Sequence, residues 1–219
     1  MKIAFLVGAL ALAGFCAAYA AESPRDANER GYRECDLKHL SSCQNTNQLI
    51  WSLPPTHHRK MDFDRALRQF LRGAPRIHFE QYSWSAATVA LESLTGPGDL
   101  PLRFPTGEWF FWGFTPHAAP DQAAIIFDAT GHILLIATLG PDMSVPPKGA
   151  YGGYPQKMTI YLHTPAPDRK FIEHVVRWAR DSVSERNKTY PRLPSDEMGT
   201  IKIVTASKDQ QQWNARVLE

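Results

Sequence analysis

Two hydrophobic periods divide the chain from residue 62 onward. Phe63, Ala66, Leu67, Phe70 and Leu71 recur at i, i+3, i+4, i+7 and i+8, while Asp64, Arg65, Arg68 and Gln69 take the opposite face, which predicts an amphipathic helix. Asp62 is placed to cap its start, and Gly73 with Pro75 to end it. The same period returns at Phe171, Ile172, Val175, Trp178, Ala179 and Val183, behind Asp168. Elsewhere the period is two, or the run is apolar throughout: residues 108–114, 123–127, 133–138, 157–163 and 201–205 predict strands. Asp128-Ala129-Thr130-Gly131 has the punctuation of a hairpin turn, so the strands on either side of it are expected to pair antiparallel. Residues 76–84 predict an edge strand and 88–94 a strand or a short helix, with turn and loop across 95–107. Residues 140–155, rich in Gly and Pro and including Gly152-Gly153, read as a long surface excursion. The pattern as a whole predicts an α+β fold, an antiparallel sheet of about five or six strands with amphipathic helices packed on it.

Upstream of residue 62 the picture changes. Lys2, an apolar run over 3–18 and the small-x-small triplet Ala18-Tyr19-Ala20 predict a cleaved signal peptide over residues 1–20, hence export and, for a bacterial chain, a periplasmic location with no stable membrane insertion after cleavage. Residues 21–60 read as a polar N-terminal extension whose last stretch, 56–60, is a solvated linker despite its paired His57-His58. Residues 61–219 read as a single α+β domain. Of three cysteines, Cys16 goes with the leader, and Cys35 and Cys43 are expected to form one disulfide in an oxidising compartment. Zinc would need more ligands than His39 can add, so no metal or other cofactor is expected. Net charge is +2, and +1 once Lys2 is removed, with no block of like charges, which argues against a nucleic-acid partner.

Candidate chemistry concentrates at residues 109–119, WFFWGFTPHAA, where an aromatic strand runs into a Thr-Pro-His segment flanked by small residues. Side chains on a loop between buried strands are positioned by the scaffold yet free to meet a partner. The rings of Trp109, Phe110, Phe111, Trp112 and Phe114 fit a strand covered on both faces; the other reading is that some of them face a partner.

The segment Gly113 to Ala119 resembles the signature loop, CKPHDC, of the inhibitor of vertebrate lysozyme family, Ivy, of Gram-negative periplasms. The likeness extends to the helix before it and the strand pair after it, over residues 60–140. It implies an Ivy-like scaffold that is not an enzyme but a binding protein. Its inhibitory loop would comprise Phe114, Thr115, Pro116, His117, Ala118 and Ala119, with Thr115-Pro116-His117 inserting into the active-site cleft of a lysozyme or muramidase-like peptidoglycan hydrolase. Pro116 and His117 match the family's Pro-His. Phe114 and Ala119 stand in place of its cysteines, and Thr115 and Ala118 in place of its Lys and Asp, so the loop must be held differently and the target is in question. A host-lysozyme inhibitor and an immunity protein against a bacterial effector are the same mechanism with different targets, and homodimer formation is left open.

Two other classes compete. An exported hydrolase would need a nucleophile, yet Ser83, Ser85 and Asp128, which could meet His117, stand in no G-x-S-x-G elbow or other selecting spacing. A carbohydrate-binding module would use exposed rings of the aromatic run. His78, His132, His163 and His174 are expected at the surface or satisfied by hydrogen bonds.

Overall fold

The computed structural model describes residue 29 and residues 31–51, 57–79, 82–116, 118–142, 144–145, 154–190, 197–207 and 212–218. Residues 1–20, read as a leader, lie outside this set, as do His117 and Gly152-Gly153.

The alternation along strands β5 (Trp109–Thr115), β6 (Ala118–Phe127), β7 (Ile133–Pro141) and β8 (Gln156–His163) sends residues to two faces of one sheet, and both faces are covered. On the first face Phe111, Ile125, Phe127, Ile136 and Tyr161 pack with Phe63, Leu67 and Phe70 of α2 (His57–Phe70) and Ala86 and Ala90 of α3 (Ala86–Glu92). On the second, Phe110, Ile126, Leu135, Ala137, Met158 and Ile160 pack with Phe171, Val175, Ala179 and Val183 of α4 (Arg169–Thr189). Burial on both faces is why the middle of β6 and β7 reads as an unbroken apolar run. Asp168 caps α4 by accepting from the Lys170 N–H.

The sheet has eight strands, ordered β10-β9-β8-β7-β6-β5-β3 with β4 also on β5. Here β3 is Gly96–Pro97, β4 Leu102–Arg103, β9 Met198–Ala206 and β10 Trp213–Leu218. Pairing is antiparallel except between β8 and β9, which run parallel across the α4 crossover. A separate ribbon pairs β1 (Ile77–Phe79) with β2 (Tyr82–Trp84). The fold is α+β with more strands than the five or six expected. The additional strands are two-residue pieces holding Gly, Pro or exposed side chains, or, in β10, an edge strand with almost no buried position, so none of them leaves a hydrophobic period.

Two local expectations are corrected and a third is decided. Residues 57–60, read as linker with Asp62 as cap, are the first turn of α2, built from His, Arg and Lys positions that carry no apolar signal. Of the two alternatives open for 88–94 the short helix is the one that forms: α3 begins at Ala86, with the Ser85 hydroxyl accepting from the Thr88 N–H at 3.1 Å. The polar stretch before residue 50 holds α1 (Thr46–Ile50), whose Thr46 and Gln48 are buried with Leu49 and Ile50. At the other side of the first core, His163 stacks on Phe70 with ring centroids 4.1 Å apart, its Nε2 lying 2.6 Å from the Phe70 carbonyl oxygen, while the Trp213 indole N–H donates to Arg72 O at 3.0 Å. These contacts fasten the end of α2 to the β8–β10 side of the sheet.

Candidate functional site

The scaffold under the Thr-Pro-His segment is β5, rigid because both faces are occupied. Phe111 stands edge-on to Phe127, with centroids 5.7 Å apart on the first face, and Phe110 and Trp112 each lie 6.1 Å from the Trp178 ring of α4 on the second. Phe110 and Phe111 are therefore core, one on each side, with Trp109 and Trp112 packed half-buried against the two cores. Gly113 lets the chain pass tightly: a Cβ there would meet Gly96 O at 2.6 Å, Thr46 Oγ1 at 2.7 Å and Leu94 Cα at 3.0 Å. Phe114 pairs with Gly96 on one side and Gln122 on the other, and its half-buried ring leans on Trp112 at 6.5 Å.

Thr115 pairs with Ala118, so the connection between β5 and β6 is only Pro116 and His117. Pro116 is exposed in the turn. The second strand was expected from residue 123 but begins at Ala118, so Ala118 and Ala119 belong to β6 and the turn is narrower than the sequence suggested. The register breaks directly behind the tip: Thr115 faces Ala118 while Phe114 faces Gln122, leaving residues 119–121 opposite no residue of β5. Pro120 has no N–H to give a ladder, and a bulge is where a strand tolerates it.

Asp121 closes the bulge. Burial pushes its carboxyl above the ordinary carboxylate value, the Arg186 guanidinium of α4 pulls the other way, and Glu92 of α3 adds to the rise. Its Oδ1 would lie 3.0 Å from a Cβ at position 140, and Gly140 leaves that space open. The folded chain holds this proton more tightly than the unfolded chain, so the ionised group costs stability above the folded pKa, and the cost vanishes as pH falls to the ordinary aspartate range. Asp121→Asn is thus expected to unfold at a higher urea concentration than the parent at pH 7, with the advantage fading on acidification; equal midpoints at pH 7 would contradict it. Asp121 and Arg186 escaped the sequence reading because they are far apart in the chain and neither stands in a motif.

The remaining candidates are dispersed. Ser83 accepts from Arg76 Nε at 2.7 Å, Ser85 caps α3, and Asp128 sits at the opposite end of β6 from the tip, bonded to Thr130 and His132 of its own turn. Thr130 Oγ1 and Asp128 Oδ2 both approach the same His132 nitrogen, Nδ1, at 2.7 and 3.3 Å, which is a turn network and not a relay through the two ring nitrogens. His174 is half-buried edge-on to Phe104 and Phe110, and burial, with Arg177 nearby, lowers its pKa. Cys35 and Cys43 are bonded as expected, and the loop they close lies against Trp109, the end of β5 away from Pro116. Among the described residues no group of three or more His, Cys, Asp or Glu could hold a metal ion, and no helix is long and apolar enough to cross a membrane.

These features define an α+β domain with a sheet covered on both faces and a hairpin whose two-residue tip carries Pro116. No family model, curated protein or solved structure matches the chain.

Proposed function

We propose that the protein is an exported inhibitor of a lysozyme-type peptidoglycan hydrolase and acts by inserting the Thr115-Pro116-His117 tip into the hydrolase's active-site cleft. The observation that carries this reading is the pairing of Thr115 with Ala118, which reduces the connection to two residues on a strand packed on both faces. A short connection between paired strands loses little freedom on binding, and the proline ring removes a further backbone torsion beside His117. A muramidase keeps two carboxyl groups across the scissile bond, and an imidazole offers two nitrogens with which to engage them. The resemblance of the tip to the Ivy Pro-His loop supports the same target class, whether a host lysozyme or a bacterial effector.

The test is a titration of the chain lacking residues 1–20 into a panel of lysozymes and muramidases. At least one is expected to be inhibited, and His117→Ala is expected to weaken that complex by about thirtyfold or more, the loss of a hot-spot residue worth about 2 kcal/mol. Absence of binding to every member, or equal binding by the variant, would refute the proposal. A carbohydrate-binding reading has one observation of its own: the exposed rings of Tyr82 and Trp84 stack at 5.8 Å on the β1–β2 ribbon. It requires glycan binding that Trp84→Ala abolishes and His117→Ala leaves intact.

A further inference from the structure

The end of β5 remote from Pro116 holds a feature that hydrolase inhibition does not use. Seven residues of extended strand separate the two ends, about 20 Å at 3.4 Å per residue. There a cleft of about 190 Å³ opens between the disulfide-closed loop and the sheet. Leu37, Lys38 and Ser41 form its loop wall, and Arg103 of β4 with Trp109 of β5 its sheet wall.

Three independent devices hold the loop wall in place. The Cys35–Cys43 bond closes the loop covalently. The Asp36 Oδ1 accepts from the Lys38 and His39 backbone N–H groups at 2.8 and 2.9 Å and lies 2.9 Å from His39 Nδ1. Gly131, at φ +88°, admits the loop backbone so closely that a Cβ there would come within 1.7 Å of Leu37 O. The loop is therefore seated backbone against backbone on the β6–β7 turn.

The lining is cationic. Lys38 and Arg103 both line the cleft, no acidic side chain lines it, and among the described residues neither cation has a carboxylate partner. The Arg103 guanidinium lies over the Trp109 ring, 5.6 Å from its centroid, which orients its flat fork while leaving in-plane donors available. Two like charges lining one cleft without a counter-charge are relieved by an anion, and a guanidinium fork matches a two-oxygen acceptor while an ammonium adds a point charge. The geometry points to a binding site for a small oxyanion, a carboxylate or phosphate group, clamped between Arg103 and Lys38 with the Ser41 hydroxyl as a further donor.

The test uses the disulfide-intact protein at constant ionic strength, with inorganic phosphate and glucuronate as probes and glucose as the neutral control, followed by backbone amide and tryptophan indole NMR shifts. Saturable shifts centred on Lys38, Ser41, Arg103 and Trp109 are expected with at least one anion and not with glucose, and the stronger probe distinguishes a free phosphate from a sugar carboxylate. Arg103→Gln should weaken binding at least tenfold, whereas Arg65→Gln, the same charge loss on α2, should leave it unchanged. Gly131→Ala should abolish it by unseating the loop while leaving both cations in the chain. Shifts that never saturate, that spread over every surface cation, or that persist in Arg103→Gln would overturn the assignment. No hydrolase is present and the Pro116 tip is untouched, so the outcome is independent of the inhibitor reading.

Discussion

Phe127→Ala is expected to remove about 3–5 kcal/mol of folding stability, the largest effect of any single truncation considered. Phe127 is completely buried at the end of β6, paired with Trp109 across β5 and with Ile133 across β7. Its ring stands perpendicular to Phe111 at 5.7 Å and tilted to Phe63 of α2 at 6.4 Å. It thus joins the hairpin, the neighbouring strand and the helix layer at one point. Truncation removes the transfer energy of the ring and leaves a cavity beside the Phe111 and Phe63 rings, which a close-packed core refills only in part. Domains of this size are stable by about 5–15 kcal/mol, so the variant should lose a large part of its margin. Urea unfolding at unchanged m-value measures the effect. A loss below about 1 kcal/mol would mean that the first core is not packed as described.

Gly113→Ala tests the same hairpin from the opposite direction, by adding one atom. The new methyl would lie 2.6 Å from Gly96 O and 3.0 Å from Leu94 Cα, and neither backbone atom can rotate aside as a side chain could. Overpacking of this kind costs about 1–3 kcal/mol. Gly113 lies two residues before Thr115, so the strain should also shift the tip and weaken the hydrolase complex beyond what the stability loss explains. Unchanged stability, checked by the same urea titration, would contradict the close approach of β3 and α1 to β5.

What was legible in the sequence is what leaves a period. The apolar stripes of α2 and α4, the central strands and the Asp-to-Gly turn between β6 and β7 follow from local spacing and stand in the fold. What was illegible depends on partners distant in the chain. Thr46 and Gln48 look like surface residues, yet they are buried because Thr46 donates to Gly96 O and the Gln48 amide oxygen accepts from the Gln44 N–H at 2.7 Å. Strand β10 was missed because an edge strand with one half-buried position has no face to reveal. At the candidate site, the two strands and a connection carrying the Thr-Pro-His segment were readable, but not the start of the second strand at Ala118 that makes the connection so short. The bulge at 119–121 was not, since register is a property of two strands and is absent from either alone. Asp121 beside Arg186 and the cleft between Lys38 and Arg103 were hidden for the same reason.

The proposed function places the Pro116–His117 tip in a hydrolase's catalytic cleft. The most direct measurement is competition: the dissociation constant of the complex with an inhibited muramidase, determined with and without a non-hydrolysable oligosaccharide saturating that cleft. If the tip and the sugar share the site, the apparent constant rises in proportion to sugar concentration, and His117→Ala, already without its anchor, binds too weakly to show the competition. An apparent constant that stays the same at saturating sugar would place any contact outside the cleft and contradict the account.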